Sequence, residues 1–97
     1  MDTQLDIHHS LSGDRGRYWA DLAPGEQAEM TYRRRPDGSI VIDHTGVPRA
    51  FEGRGIALQL VKRAIEDARK GGFRIVPQCP YVAVQFRRHP DWADLLA

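Results

Sequence analysis

From Arg17 onward, polar and apolar positions alternate. Tyr18, Ala20 and Leu22 fall on one side of an extended chain, which predicts a half-buried β-strand. Pro24-Gly25 marks a turn. Ala28, Met30 and Tyr32 then alternate with Gln27, Glu29 and Thr31, a second strand of the same kind. Pro36-Asp37-Gly38 is a strong turn signal. Residues 39–47 carry the β-branched run Ile40, Val41 and Ile42 and predict a third strand. The period then changes to that of a helix. Ile56, Ala57, Leu60, Val61, Ala64, Ile65 and Ala68 form one stripe, with Lys62, Arg63, Glu66, Asp67 and Arg69 opposite. Gly71-Gly72 supplies the stop.

Phe73-Arg74-Ile75-Val76 predicts a fourth strand, and the helix-sized connection makes it parallel to the third. Pro80 suits a first helical position, and Val82, Ala83 and Phe86 face inward on a short helix ending near His89. Pro90 interrupts, and residues 91–96 predict a last helical turn or two docked by Trp92, Leu95 and Leu96. Residues 1–13 are polar, and residues 5–8 read equally as a short strand or a loose tail. The expected fold class is mixed α+β: an antiparallel meander, a β-α-β crossover and short C-terminal helices.

Composition narrows the function. A chain of 97 residues is expected to form one domain spanning residues 1–97, with a single core. A net charge of +1 argues against a dedicated nucleic-acid binder, which is usually strongly basic. One cysteine, Cys79, excludes an internal disulfide framework and suits a reducing compartment. There is no apolar run of membrane-spanning length and no signal-peptide core, so the expected location is cytoplasmic. A monomer or weak dimer is expected.

The segment Gly53-Arg54-Gly55-Ile56-Ala57 opens directly into the amphipathic helix. A glycine turn there leaves backbone N–H groups unpaired at the positive end of the helix dipole, which suits a phosphate or pyrophosphate. Glycine lets a ligand come close. The same glycines also fit an ordinary loop that enters a helix tightly. Arg54 lies within the loop and suits a phosphate contact. Arg33-Arg34-Arg35 reads either as a contact for an acidic ligand or as a solvated hairpin end. His8 and His9 show no ligand spacing with the other histidines, and no metal site is assigned.

Four motifs occur in order: His44-Thr45-Gly46-Val47-Pro48, Gly53-Arg54-Gly55-Ile56-Ala57, Cys79-Pro80-Tyr81-Val82 and Arg88-His89-Pro90. Together they resemble the minimal GNAT-like acetyltransferases of about a hundred residues. The match covers residues 39–96; residues 1–38 agree only in pattern. The resemblance implies acetyl-CoA as the acyl-donor substrate, with loop amides on its pyrophosphate. It implies that the third and fourth strands splay apart and that the pantetheine arm lies in the gap. Thr45, Val47, Arg49, Gly53, Arg54, Gly55, Ile56 and Ala57 are then the expected cofactor contacts, with the Val47 amide on the thioester oxygen. Two positions depart from the pattern. Glu52 stands where the superfamily has Gln or Arg, and Gly46 stands where the minimal family has glutamate.

The implied reaction is direct acyl transfer to an amine, which needs thioester positioning, oxyanion stabilisation and two proton transfers. Cys79 precedes a helix start, where the dipole favours a thiolate. It is a candidate proton donor to the leaving thiolate or a transient acyl acceptor, or else a buried small hydrophobe. His44 is a candidate base, or a strand histidine held by a backbone carbonyl. Tyr81 is an alternative proton donor, and His89 is expected to cap a helix C-terminus beside Arg87 and Arg88. Two functional readings follow: an N-acetyltransferase acting on an amine of a small molecule or peptide, or a module that holds acetyl-CoA or CoA without efficient transfer. A third is an interaction domain whose glycines are purely structural.

Overall fold

The computed structural model describes residues 5–97, and residues 1–4 of the expected N-terminal strand or tail lie outside the described residues. The chain forms β1 (His8–Ser12), β2 (Arg15–Ala23), β3 (Glu26–Arg34), β4 (Ile40–Gly46), α1 (Ile56–Gly71), β5 (Ile75–Pro77) and α2 (Pro80–Arg88). Short 3-10 turns cover Arg49–Phe51 and Pro90–Leu95. The five strands lie side by side in chain order. The first four pair antiparallel, and β5 pairs parallel to β4. This is the expected mixed fold, with one strand more in its meander.

The alternation in β2 and β3 works as the sequence pattern demands. Tyr18, Ala20, Ala28, Met30 and Tyr32 are buried on one face, and α1 covers that face. Ile56, Leu60, Val61, Ala64, Ile65 and Ala68 are the buried side of α1; Ala57 is only half-buried. Each large aliphatic group so placed contributes about 1.5–3 kcal/mol. The helix stops because Gly72 turns left-handed at φ +70°, and the amides of Gly72 and Phe73 fold back on the Ala68 carbonyl at 2.8 and 3.2 Å. Phe73 therefore belongs to the helix cap, and β5 starts two residues later than expected.

Other boundaries also move. Residues 5–7 are not a strand; Leu5 and Ile7 pack on the core, and the Leu5 amide reaches Gln59 Oε1 at 3.1 Å. The first strand is His8–Ser12, fully exposed as an edge. It is anchored through His9, which stacks on Tyr18 (ring centroids 4.3 Å apart) and bonds Tyr32 Oη at 2.7 Å. In α2 the buried side chains are Val82, Gln85 and Phe86, while Ala83 is half-buried. Trp92 and Leu95 dock the C-terminal turn, but Leu96 is 39% exposed, because the chain there forms a parallel bridge to Ile75 instead.

Candidate functional site

The β4–β5 ladder is short. It pairs Ile40 with Ile75, Val41 with Val76 and Ile42 with Pro77, and then stops. The Gln78 amide turns back to the Val76 carbonyl at 3.0 Å instead of extending it. The Cys79 amide donates to the Ile42 carbonyl at 2.8 Å, and the chain turns away into α2. β4 runs on to Gly46 paired with β3 alone. Among the described residues, no strand lies beside its other edge over residues 43–46. Such an edge offers N–H and C=O groups to an extended ligand. The Val47 amide, just past the strand, has no acceptor among the described residues.

The glycine loop lies one short turn further on. The Arg49–Phe51 turn is closed by the Phe51 amide on the Pro48 carbonyl at 2.9 Å. Residues 52–55 are exposed. Gly55 caps α1 in the left-handed region, at φ +76°, and supplies no side-chain cap; the first turn holds no acidic residue. Among the described residues, no protein acceptor takes the amides of residues 53–58. A Cβ at Gly53 or Gly55 would meet nothing within 4 Å. The result is a row of free donors over open space at a helix N-terminus, the geometry that fits an anion. Ile56 is buried in the core, so only its amide is available there. Arg54 lies over the Phe51 ring at 5.3 Å, which holds its guanidinium beside the loop. Arg49 and Glu52 are exposed and form no ion pair within 4 Å among the described residues.

A β-bulge divides the remaining candidates between two faces. Tyr32 pairs with Ile42, but Thr31 pairs with His44, so Asp43 is an extra residue in β4. Without it, Ile40, Ile42 and His44 would share the core face. With it, His44 moves to the opposite face with Thr31, and Thr45 sits opposite the buried Met30. Asp43 is fixed by Thr31 Oγ1, which donates to its Oδ1 at 2.6 Å, and faces Arg15 at 3.7 Å. Cys79 is 6% exposed and its thiol donates to Thr45 Oγ1 at 3.6 Å. The structure thus brings Cys79 and Thr45 together and puts His44 on the other face of β4.

His44 has a partner the sequence did not reveal. Its Nε2 stands 3.7 Å from Glu29 Oε2. Glu29 is directly opposite Gly46 in register. The His44 ring occupies the space beside Gly46, where a Cβ would lie 3.2 Å from Nε2. Nothing local pointed to Glu29.

The other candidates fall outside this cluster. Tyr81 is half-buried at the start of α2, and burial raises its phenol above the usual range against the pull of Arg88. His89 is the C-cap of α2; its Nδ1 meets the Gln85 carbonyl at 2.8 Å and its ring stacks on Trp92 at 3.9 Å. Arg33 and Arg34 are exposed at the end of β3, and Arg35 holds the following turn through Ser39 Oγ at 2.8 Å.

The two parallel strands part after three paired residues, and a free helix start lies at the mouth of the gap. The sequence profile of the GCN5-related N-acetyl-transferase family matches residues 17–95, and the chain belongs to that family. Its structure is similar to the solution structure of a GCN5-like candidate N-acetyltransferase from Staphylococcus aureus. The TM-score is 0.73 at 26% identity, over 99% of this chain and 91% of that one. No curated protein matches the chain in sequence. Among the described residues, no helix is long and apolar enough to cross a membrane.

Proposed function

We propose that the chain is an N-acetyltransferase that moves an acetyl group from acetyl-CoA directly to an amine. The observation that carries this reading is the continuity between the unpartnered edge of β4 and the free amides of residues 53–58. A pantetheine arm is an extended chain with amides of its own and pairs with such an edge as a strand does. A pyrophosphate at its end meets the helix start.

In this reading, the residue 53–58 amides and Arg54 hold the diphosphate, and Gly53 and Gly55 keep the approach open. The Thr45 and Gly46 backbone holds the arm in extended form. The Val47 N–H faces the thioester oxygen and stabilises the charge that develops on it. The amine nitrogen forms the new C–N bond as the C–S bond breaks. The acceptor enters as its ammonium form: His44 takes one proton and frees the lone pair, and a second passes to the departing sulfur, with the Cys79 thiol as relay or donor. Thr45 Oγ1, at 3.6 Å, orients that thiol.

Glu52 favours a second reading, a module that binds CoA without efficient transfer. Its carboxylate adjoins the proposed diphosphate site and has no cationic partner within 4 Å among the described residues. Calorimetry with acetyl-CoA and CoA, followed by detection of free thiol across a panel of amines and lysine peptides, separates the two. The transferase reading expects binding and amine-dependent thiol release. Binding without release establishes the module, and no binding at high micromolar acetyl-CoA refutes both.

A further inference from the structure

The face of the sheet turned away from α1 carries a ladder of half-exposed polar side chains, and the transfer scheme above uses only one of them, His44. Glu29 lies at the end of that ladder nearest the open edge of β4. Its two carboxylate oxygens do different things. Oε1 accepts Arg17 Nε at 2.7 Å. Oε2 faces His44 Nε2 at 3.7 Å, too far for a formed hydrogen bond. Arg17 is itself fixed: its Nη2 donates to Gln27 Oε1 at 2.6 Å and its guanidinium lies over Trp19 at 4.8 Å. The carboxylate is thus held from behind and presents one oxygen forward.

What that oxygen faces is the solvent-exposed edge of the His44 ring. Residues opposite each other in an antiparallel pair project to the same side. Glu29 is opposite Gly46, and the His44 ring lies beside that glycine, where a Cβ would stand 3.2 Å from Nε2. The Glu29 carboxylate and the His44 imidazole therefore meet beside Gly46, the residue that precedes Val47. The His44 and Glu29 side chains are 57% and 35% exposed, so a ligand reaches both from solvent. An anion and an imidazole across a gap wider than a hydrogen bond make a seat for an ammonium donor.

We infer that Glu29 is the acceptor-side carboxylate of this enzyme. It receives the ammonium form of a cationic primary amine over Gly46 and holds it against His44. This rests on the transferase reading above. The ammonium gives one proton to His44 Nε2, and the resulting imidazolium is stabilised by Glu29 Oε2 until it returns the proton to solvent. The freed amine lone pair forms the C–N bond, the thioester C–S bond breaks, and the second amine proton ends on the leaving sulfur. Arg17 is a positioning residue, which keeps the carboxylate from swinging away.

Two measurements test this. The first compares E29Q and E29D with the unmodified enzyme for acetyl-CoA affinity and for kcat and KM towards a lysine-containing peptide. Loss of the carboxylate is expected to leave the acetyl-CoA Kd within about twofold and to lower kcat/KM for the amine by about tenfold, or ~1.4 kcal/mol. E29D should recover part of that loss. Unchanged kcat/KM in E29Q, with acetyl-CoA still bound, overturns the inference and leaves the transferase reading intact. The second needs no turnover: amide chemical-shift mapping with N-acetyl-lysine methylamide as the probe. Shifts at residues 29, 44 and 46 that vanish in E29Q support the seat. Shifts elsewhere, or shifts that persist in E29Q, overturn it.

Discussion

Substituting Gly55 with glutamate separates anion binding from folding. Gly55 sits at φ +76°, ψ 14°, and a Cβ there meets no atom within 4 Å. A side chain is strained by conformation, not by collision. The left-handed conformation costs an L-residue about 1–2 kcal/mol. A carboxylate near the helix N-terminus returns about 0.3–1 kcal/mol. The net loss of about 1 kcal/mol lowers the melting temperature of a chain this long by about 4–8 °C, so the fold survives. Binding is hit harder. A carboxylate about 5 Å from one phosphate charge costs about 0.8–3.3 kcal/mol, between full and partial solvent screening. Two phosphate charges therefore imply at least about tenfold weaker binding. Gly55→Ala carries the same strain without the charge and serves as the control. Calorimetry with acetyl-CoA, alongside thermal melts, reads both effects. If Gly55→Glu binds acetyl-CoA as tightly as the parent while both variants fold, the diphosphate assignment is wrong.

The remaining predictions concern proton chemistry and the core. Cys79→Ala is expected to lower turnover more than acetyl-CoA affinity, measured by thiol release and calorimetry; equal turnover would leave Cys79 a packing residue. Tyr18 donates to Asp67 Oδ2 at 2.7 Å, and burial, that bond and the Asp67 charge all push its phenol far above the usual range. Tyr18→Phe removes a bond to a charged acceptor and is expected to cost about 1.5–3 kcal/mol, read from denaturant unfolding. His9 titrates below its ordinary 6.5, chiefly because it is desolvated, with Arg63 adding to the effect and Asp67 opposing it. The unfolded chain therefore binds a proton more readily than the native one. Stability is full above pH 6.5 and declines as pH falls below that value and through the native titration. Melting curves at pH 7.5 and 5.5 should show that decline for the parent and less of it for His9→Gln.

Much of the fold was legible because its signals are local. The alternation of Tyr18, Ala20, Ala28, Met30 and Tyr32 and the helical stripe from Ile56 to Ala68 each report one element meeting one core face. The first strand was not legible, since all five of its residues are exposed and no periodicity marks it. Its position is set by the contacts of His9 with Tyr18 and Tyr32, residues nine and more positions away. The bulge at Asp43 was hidden for a related reason. It exists only as a two-against-one pairing with β3, yet it decides which face His44 occupies. The glycine loop was legible as a tight entry to the helix because glycines stand directly before the apolar stripe; that Gly55 is a left-handed cap comes from the structure. Glu29 was read merely as a polar position of a strand, because its neighbourhood with His44 is made by cross-strand register.

The most direct test is a crystal structure of the protein with coenzyme A. The account predicts the diphosphate within hydrogen-bond distance of the amides in residues 53–58, and the pantetheine arm lying along β4 beyond Ile42. A diphosphate bound anywhere else, or an arm that does not pair with β4, would contradict it.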